Sequence, residues 1–440
     1  MSEKNKSISL GKSGLLLGVN GIAFCGVVFA QDGVSDLDTR FMDMEKRVEQ
    51  LESQQSNALT AGSSPGSFKL PGSETSLTIG GFISAGAMLS DKNSLLSHAG
   101  DQLLAPQLIA LDNDTAETSD SQKLEMSARE SRLFVRTQTP LESGVFTTYV
   151  EGDFWGAEGT EGTTNGYGFR LRQAWAQLGN LTLGQGWTNM FNPYSMPEVL
   201  DFAPPVGFLG GTRQAALKWQ QPFTGGNWSM SLENPETAVA SAISLPTGSS
   251  VTANTYHDVD EWPDLTAKIS FKKGTGDYAV TGLARKLNAY SADLTGGGDD
   301  AYGVGGMVSG GIGFGDKDRL VFSLGYGDGV GRYWGAAVPD AVIVDGQLET
   351  IEVAGGHIGF KHYWSPTLRS SIDYSTLKMT HPDGASELLD EKYQASHVNL
   401  IWAVAPKAQL GIEYLWANRD TVAGESGSLN RIVLNGKYLF

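Results

Sequence analysis

The end of the chain places the strongest limit on the fold. Apolar and polar side chains alternate over the last eleven residues, which is the period of a β-strand with two different faces. One face carries Ile432, Leu434, Tyr438 and Phe440, and the other carries Arg431, Asn435 and Lys437. A soluble protein has no reason to expose aromatic rings at its terminus. The pattern resembles the insertion signal of bacterial outer-membrane barrels and predicts a last strand that faces lipid.

The start of the chain has the pattern of an export signal. Lys4, Lys6 and Lys12 precede an apolar run from Leu15 to Ala30 that is too short to span a bilayer comfortably. Residues 1–30 are therefore expected to be a cleaved signal peptide, with an uncleaved anchor as the alternative. Cys25 is the single cysteine, so the exported chain would have no thiol for a disulfide, a metal or nucleophilic catalysis.

The composition agrees with a membrane barrel. No later stretch reaches about eighteen apolar residues, so no transmembrane helix is expected. The chain has 56 glycines, 10% aromatic residues, 40% hydrophobic residues and a mean hydropathy of -0.19. Such a chain fits strands whose lipid-facing and lumen-facing residues alternate. A secreted soluble β-protein shares this composition but not the C-terminus described above.

Residues 31–66 are expected to form a periplasmic coiled-coil helix followed by a flexible linker. The apolar positions repeat with a heptad spacing at Leu37, Phe41, Met44, Val48 and Leu51. About two heptads are too short to hold oligomers together alone. An isolated amphipathic helix that packs on the barrel mouth is the alternative. Residues 53–66 are rich in Ser, Gly and Gln, which is typical of a flexible linker.

Residues 67–440 are predicted to form an all-β transmembrane antiparallel barrel of about sixteen strands. Short turns are expected near Pro140–Gly144, Gly179–Asn180 and Thr224–Gly226, with longer loops at the opposite end. Apolar Leu265 and Ile269 alternate with polar neighbours, as later strands also do. A barrel of sixteen strands leaves an aqueous lumen. The chain is therefore expected to conduct solutes.

Several segments of the first half resemble the DcaP-like trimeric porins. They are FKLPGSETSLTIGGF (Phe68 to Phe82), SARESRLFVRTQTP (Ser127 to Pro140), VEGDFWG (Val150 to Gly156), FRLRQAWAQLGNLTLGQGW (Phe169 to Trp187) and DFAPPVGFLGGTRQ (Asp201 to Gln214). The resemblance extends over Asp36 to Phe440 and is strongest over residues 67–214. It implies a homotrimer, a periplasmic N-terminal coiled coil and passive uptake of small anions such as dicarboxylates. It also implies a place in the Gram-negative outer membrane, in contact with lipid and lipopolysaccharide.

Arginines are the candidate selectivity residues. Between Leu124 and Leu217 there is no lysine, and the six arginines are Arg129, Arg132, Arg136, Arg170, Arg172 and Arg213. Strand parity places Arg170 and Arg172 opposite Leu171, and Arg132 and Arg136 opposite Leu133 and Val135, so these four are expected to face the lumen. Arg129 has the other parity, which predicts a strand end or a bulge, and Arg213 opens the sixth strand. All six are predicted to line the pore and bind anions, since a guanidinium group matches a carboxylate at two points.

Two alternatives to an anion-selective wall stay open. The net charge of -17 by itself favours a general or cation-preferring channel. The arginines also have acidic neighbours, Glu130, Glu151 and Asp153, which they would neutralise without selecting any solute. The anion-selective interpretation is preferred because charges near the permeation path act more strongly on a solute than charges on exposed loops do.

The segment Asn189 to Thr212 is the candidate constriction loop. Four prolines stiffen it, and Tyr194, Phe202 and Phe208 offer apolar anchors. Glu198 and Asp201 are predicted to face the arginines across the pore and set a transverse field.

Signals for other activities are weak. The six histidines have no metal-ligand spacing, the acidic loops match no Ca²⁺ loop, and no GxSxG or HExxH motif occurs. We therefore expect no enzyme activity, no cofactor, no metal and no nucleic-acid partner. A barrel hydrolase and an adhesin or phage receptor are the competing functions.

Overall fold

The computed structural model describes residues 39–50, 60–92, 101–113, 121–157, 163–244, 250–254, 257–335 and 338–440. The expected signal peptide, residues 1–30, lies outside the described residues. The chain divides into two compact units, Met1–Ala58 and Leu59–Phe440. In the described residues, no helix combines the length and the apolar character needed to cross a bilayer.

The first unit contains a helix over residues 39–50. Three of the five heptad positions, Phe41, Met44 and Val48, lie on it and are more than half exposed. The outer two, Leu37 and Leu51, lie outside the described residues. The heptad pattern therefore does correspond to a helix with an uncovered apolar seam.

The second unit is an antiparallel barrel of sixteen strands, which confirms the predicted architecture. The strands are β1 Ser76–Ser90, β2 Lys123–Ser127 and Arg132–Leu141 (one strand, interrupted), β3 Gly144–Asp153, β4 Arg170–Leu178, β5 Leu181–Trp187, β6 Arg213–Phe223, β7 Gly226–Glu233, β8 Asp264–Lys273, β9 Gly276–Tyr290, β10 Gly298–Phe314, β11 Asp318–Asp328, β12 Glu352–Tyr363, β13 Leu368–Thr380, β14 Asp390–Ala405, β15 Ala408–Thr421 and β16 Ser426–Leu439.

The barrel is closed by its first and last strands. β1 pairs with both parts of β2 on one side and with β16 on the other, where Phe82 lies opposite Leu439 and Ser90 opposite Arg431. Closure removes the free edges, so every strand finds a hydrogen-bonding partner within the sheet.

The two ends of the barrel differ in the length of their connections. At one end the strands meet in short turns, including the three predicted from the sequence. Gly179 and Gly225 hold φ angles of 55° and 84° in two of these turns, which glycine adopts at little cost. Most connections at the other end are longer, and the loop of residues 188–212 is called the constriction loop below.

The loops contain small elements of their own. These are the 3₁₀ turns Pro106–Leu108, Pro193–Ser195 and Gly331–Trp334, the short strands Phe68–Lys69 and His257–Asp258, and a four-stranded sheet of Val239–Ser244, Ser250–Asn254, Ala341–Val344 and Gln347–Thr350. The 3₁₀ turn Pro193–Ser195 begins after Asn192, whose side chain accepts a hydrogen bond from the backbone N–H of Tyr194.

Inward and outward faces alternate as the sequence predicts. On β8, Leu265 and Ile269 are exposed on the outer face, whereas Thr266 between them is completely buried. On β16, Ile432 and Leu434 face out and Arg431 faces in. The outer face therefore offers an apolar surface suited to lipid.

The lumen is not uniformly polar. Inward-facing Leu377, Tyr393, Leu415 and Leu429, on β13 to β16, belong to a buried apolar cluster. Loop residues join the same cluster: Leu104, Ile109, Met190, Phe208, Leu209, Tyr333 and Trp334. Apolar side chains that face into a barrel need partners other than water, and the inward-folded loops supply them. The open space is therefore displaced toward the opposite wall, formed by β2 to β6.

Candidate functional site

A cavity of about 650 Å³ lies inside the barrel, next to this open wall. On one side it is lined by Arg132, Arg170, Arg172 and Arg213, which we call the arginine wall. On the other side it is lined by the constriction loop from Phe191 to Gly211, together with residues 103–108. Four of the six arginines selected from the sequence therefore meet in one cavity.

The register of three neighbouring strands brings most of the wall together. Arg132 on β2 lies opposite Asp153 on β3, and Asp153 lies opposite Arg170 on β4. Arg172, two residues after Arg170, faces inward as well, and a bulge opposite Glu151 leaves Arg172 as an extra residue on β4, so that Gln173 also turns inward. The cationic residues and the two carboxylates thus alternate across the strands.

The carboxylates of β3 bind the arginines of β4 directly. Arg170 donates to Asp153 at 3.0 and 2.8 Å, and Arg172 donates to Glu151 at 2.8 Å and to Asp153 at 2.6 Å. Arg132 is looser, with Nη1 3.8 Å from Glu151. Arg170 and Arg172 therefore form ion pairs with Glu151 and Asp153, as the alternative of charge neutralisation expects.

Arg213 is held differently. Its guanidinium lies over the indole ring of Trp187, 4.7 Å from the ring centroid, and these two residues are paired at the ends of β6 and β5. Within the described part of the chain, no carboxylate forms an ion pair with Arg213. A stacked but electrically uncompensated guanidinium can accept an anion without first losing a protein partner.

Aromatic rings lie between the charges around the cavity. Phe82 packs under both Arg132 and Lys437, at 5.1 and 4.7 Å. Phe202 of the constriction loop lies 5.9 Å from Arg170 and 5.6 Å from Arg172. Phe82, Lys437 and Phe202 were not among the predicted pore-lining residues: Phe202 was expected only as an apolar anchor of the loop, and the inward parity of Lys437 was a usable signal.

Two predicted pore-lining arginines do not line this cavity. Arg129 lies in the interruption of β2, where its guanidinium is between the rings of Trp155 and Tyr167, at 4.2 and 4.5 Å. It also donates to Gln102 Oε1 at 3.2 Å and is almost fully buried. Arg136 is on the inward face of β2, opposite Tyr149 and closer to the short turns. Arg129 thus packs between two rings at the strand break and does not line this cavity.

The constriction loop enters the barrel and is fixed there by several contacts. Phe208 and Leu209 are completely buried. At Gly207 a Cβ would overlap the carbonyl oxygens of Gly356 and Thr376, so the loop backbone lies directly against β12 and β13. Lys268 on β8 donates to the carbonyl oxygen of Phe191 at 3.0 Å. These contacts place the loop across the lumen.

The two acidic residues of the loop, which were expected to face the arginine wall, are both bound by other groups of the protein. Glu198 receives hydrogen bonds from Arg369 at 2.9 and 2.5 Å, and Lys361 lies 3.5 Å away. Burial alone would raise the pKa of Glu198, but Arg369 and Lys361 outweigh it and hold the pKa below its ordinary value. Glu198 therefore anchors the loop to β12 and β13.

Asp201 is a second anchor of the loop. Its carboxylate accepts hydrogen bonds from the backbone N–H groups of Leu104, at 3.1 and 3.0 Å, and Ala203, at 2.9 Å. Arg431 on β16 lies 3.8 Å away. Burial raises the pKa of Asp201 even though Arg431 acts in the opposite direction. Asp201 borders the cavity, but its oxygens are occupied by the protein. The inward position of Arg431 on β16 was visible in the sequence, whereas its partner was not.

The chemistry that this cavity offers is the binding of an anion by guanidinium groups between apolar walls. No group of three or more His, Cys, Asp or Glu side chains with the geometry of a metal site occurs among the described residues.

Comparisons with known proteins agree with this architecture. The family model described as DcaP outer membrane protein matches residues 102–440. The crystal structure of the outer membrane channel DcaP of Acinetobacter baumannii has a TM-score of 0.71 with 21% identity, over 87% of this chain and 100% of that chain. No curated protein sequence matches this chain.

More distant solved structures have the same fold. An anion-selective porin from Comamonas acidovorans has a TM-score of 0.52 with 12% identity, over 83% of this chain and 100% of that chain. In-vitro folded OmpT, an outer membrane protein of Vibrio cholerae, has a TM-score of 0.50 with 12% identity, over 83% and 98% of the two chains. The shared feature is the closed barrel of outer-membrane porins.

Proposed function

This chain belongs to the DcaP outer membrane protein family, and on that premise we propose that its barrel conducts small hydrophilic anions passively across the outer membrane, dicarboxylates in particular. The uncompensated charge of Arg213 in the 650 Å³ cavity supports this proposal most directly. A permeating carboxylate would exchange some of its bound water molecules for hydrogen bonds from this guanidinium group. Among the described residues no protein carboxylate forms an ion pair with Arg213, so the solute would not need to displace one.

A second carboxylate of the same solute would be met by Arg132. The nearest carboxylate to Arg132 is Glu151 at 3.8 Å, which leaves much of its hydrogen-bonding capacity available. Arg170 and Arg172 contribute less net charge, because Asp153 and Glu151 bind them. The acidity of the whole chain matters less at this position, since salt screens distant charges over roughly 8–10 Å.

The barrel is further proposed to work as a homotrimer that contacts outer-membrane lipid and lipopolysaccharide. The outer faces of β3, β4 and β5 combine small or polar residues, Thr148, Ala174, Ala176 and Gln185, with exposed apolar Val150, Leu171 and Leu183. Such a face suits contact with a second barrel. The uncovered seam of Phe41, Met44 and Val48 on the helix over residues 39–50 suits a coiled coil.

Ion selectivity and block by a dicarboxylate test the channel function. In planar bilayers with a salt gradient, the wild-type protein should show a reversal potential that favours anions, and succinate should reduce the current. Arg213→Gln should move the reversal potential toward cations and weaken the block by succinate. Lys272→Gln is the matched control, because Lys272 is a largely exposed residue next to a short turn.

An unchanged reversal potential and an unchanged block in Arg213→Gln would overturn the proposed anion site. A wild-type channel that prefers cations would favour the alternative of a cation-preferring porin.

A further inference from the structure

A second cavity, of about 290 Å³, lies on the short-turn side of the constriction loop. Its wall is built from inward-facing residues of β4 to β8, including Gln173, Gln177, Thr182, Lys218 and Gln220. The register places Thr182 on β5 opposite Lys218 on β6, and Lys218 opposite Ser231 on β7. These positions are nearer the short turns than Arg213, which is at the loop end of β6.

The two cavities share Trp187 and Phe191 in their linings. The rings of these two residues stack, with centroids 4.5 Å apart and planes inclined by 10°. A solute that leaves the arginine cavity toward the short turns therefore meets this stack and then the second cavity.

The charges around the second cavity leave one cation available. Lys268 uses its ammonium group to bind the carbonyl oxygen of Phe191. Glu233 is buried and is satisfied mainly by neutral donors, among them the Asn189 N–H at 2.8 Å and the Ser231 hydroxyl at 2.6 Å. Among the described residues Lys218 has no hydrogen-bond partner and no ion pair within 4.0 Å, and the nearby Glu233 acts on it only from a greater distance. It is a half-buried ammonium group that faces the cavity.

The neutral residues of the lining indicate which hydrogen-bonding groups a ligand of this cavity would carry besides its charge. Gln173, Gln177, Gln220 and Thr182 offer amide and hydroxyl groups, which donate and accept hydrogen bonds as hydroxyl groups do. Trp175 adds an aromatic surface on the same wall. An ammonium group is a compact point charge, so it binds one carboxylate oxygen without the two-point geometry of arginine.

We propose that this second cavity is a binding site for small monocarboxylates that carry several hydroxyl groups, with Lys218 binding the carboxylate and the glutamine amides binding the hydroxyls. The site extends the proposed channel function, because a solute reaches it through the lumen. It differs from the arginine cavity in its cation, in its neutral polar lining and in its position beyond the Trp187–Phe191 stack.

Block of the ionic current by gluconate and by hexanoate tests this site. Both ions have six carbons and one negative charge, but only gluconate carries hydroxyl groups. Gluconate should block the wild-type channel more strongly than hexanoate, and more strongly when added from the short-turn side. Lys218→Met keeps an unbranched side chain but removes the charge, so it should weaken the block by gluconate about tenfold. Lys218→Arg should retain most of the block.

Lys272→Met is the control, because it removes a lysine outside the proposed site. Gluconate should block this variant as strongly as it blocks the wild-type channel. Single-channel conductance before gluconate is added establishes that each variant has formed a channel, and Lys218→Arg provides a second readout if Lys218→Met does not assemble. Equal block by gluconate and hexanoate, or unchanged block in Lys218→Met, would overturn the proposal. The Arg213→Gln variant separates it from the proposed anion site, because that variant should lose succinate block and keep gluconate block.

Discussion

Arg170 and Asp153 form a two-point ion pair, with Nε 3.0 Å from Oδ1 and Nη2 2.8 Å from Oδ2. The same carboxylate also binds Nη1 of Arg172 at 2.6 Å. One buried carboxylate therefore holds two guanidinium groups of β4 in place. This arrangement fixes the shape of the arginine wall, while Arg213 and Arg132 provide most of its available charge.

Removal of both β4 charges should change selectivity and stability together. In Arg170→Gln/Arg172→Gln, the carboxylates of Glu151 and Asp153 lose their main partners, so the reversal potential should move toward cations and succinate block should weaken. Loss of a partner from the buried Arg172–Asp153 pair should also destabilise the barrel by about 3–5 kcal/mol, measured by denaturant unfolding in detergent.

Two matched variants separate these effects. Adding Glu151→Gln and Asp153→Asn removes the uncompensated carboxylates, and the reversal potential should return toward its wild-type value. Arg170→Lys/Arg172→Lys should keep the ion selectivity but weaken dicarboxylate block, because the planar guanidinium groups are lost. If the reversal potential of the double Gln variant equals that of wild type, these arginines are purely structural.

Arg129 should affect stability without affecting selectivity. Arg129→Lys keeps the charge but loses the planar stack between Trp155 and Tyr167, which should cost about 0.5–2 kcal/mol of unfolding free energy. Unfolding followed by tryptophan fluorescence would measure this loss. A shifted reversal potential in Arg129→Lys would instead place this residue on the permeation path.

Glu198 should keep the constriction loop in place over a wide pH range. Arg369 and Lys361 lower its pKa, so the stabilisation by these ion pairs is complete above the ordinary glutamate pKa of about 4.3. It is lost as the pH falls through the lowered pKa of the folded protein. Open-channel current noise should therefore stay low at neutral pH and increase only below about pH 4.

Glu198→Gln should show the increased noise at every pH, since the ion pairs with Arg369 and Lys361 cannot form. Noise in this variant that matches wild type at neutral pH would show that the apolar contacts of Phe208 and Leu209 hold the loop by themselves.

The C-terminal residue should matter for assembly and not for conduction. Phe440 and Tyr438 are exposed at the end of β16, and the backbone N–H of Phe440 donates to the carbonyl oxygen of Gly81 at 3.2 Å. Deletion of Phe440 should lower the amount of protein inserted into the outer membrane, measured by membrane fractionation, while single-channel conductance stays unchanged. Wild-type outer-membrane levels would contradict this role.

The N-terminal helix should strengthen trimers without being needed for the barrel. Deletion of residues 31–66 removes the heptad positions Phe41, Met44 and Val48, so trimers should dissociate at a lower temperature in detergent, observed by native electrophoresis. Barrels that fold normally and dissociate at the wild-type temperature would rule out the coiled coil.

Local spacing along the chain predicts much of the architecture of this protein. The period of two along a strand decides which side chains face lipid, so the sequence predicts a barrel of about sixteen strands, the positions of several turns and the inward direction of Arg132, Arg170 and Arg172. These are properties of neighbouring residues and need no knowledge of distant contacts.

The tertiary structure decides which of these side chains are available for a solute. Glu198 binds Arg369, 171 residues further along the chain, and Asp201 binds the backbone of Leu104, 97 residues before it. Such pairings depend on how the constriction loop folds into the lumen, and the loop folds inward because apolar residues on β13 to β16 face the lumen and need partners. The sequence thus predicts that arginines line the pore, whereas only the folded loops and strands determine that Arg170 and Arg172 are compensated and Arg213 is not.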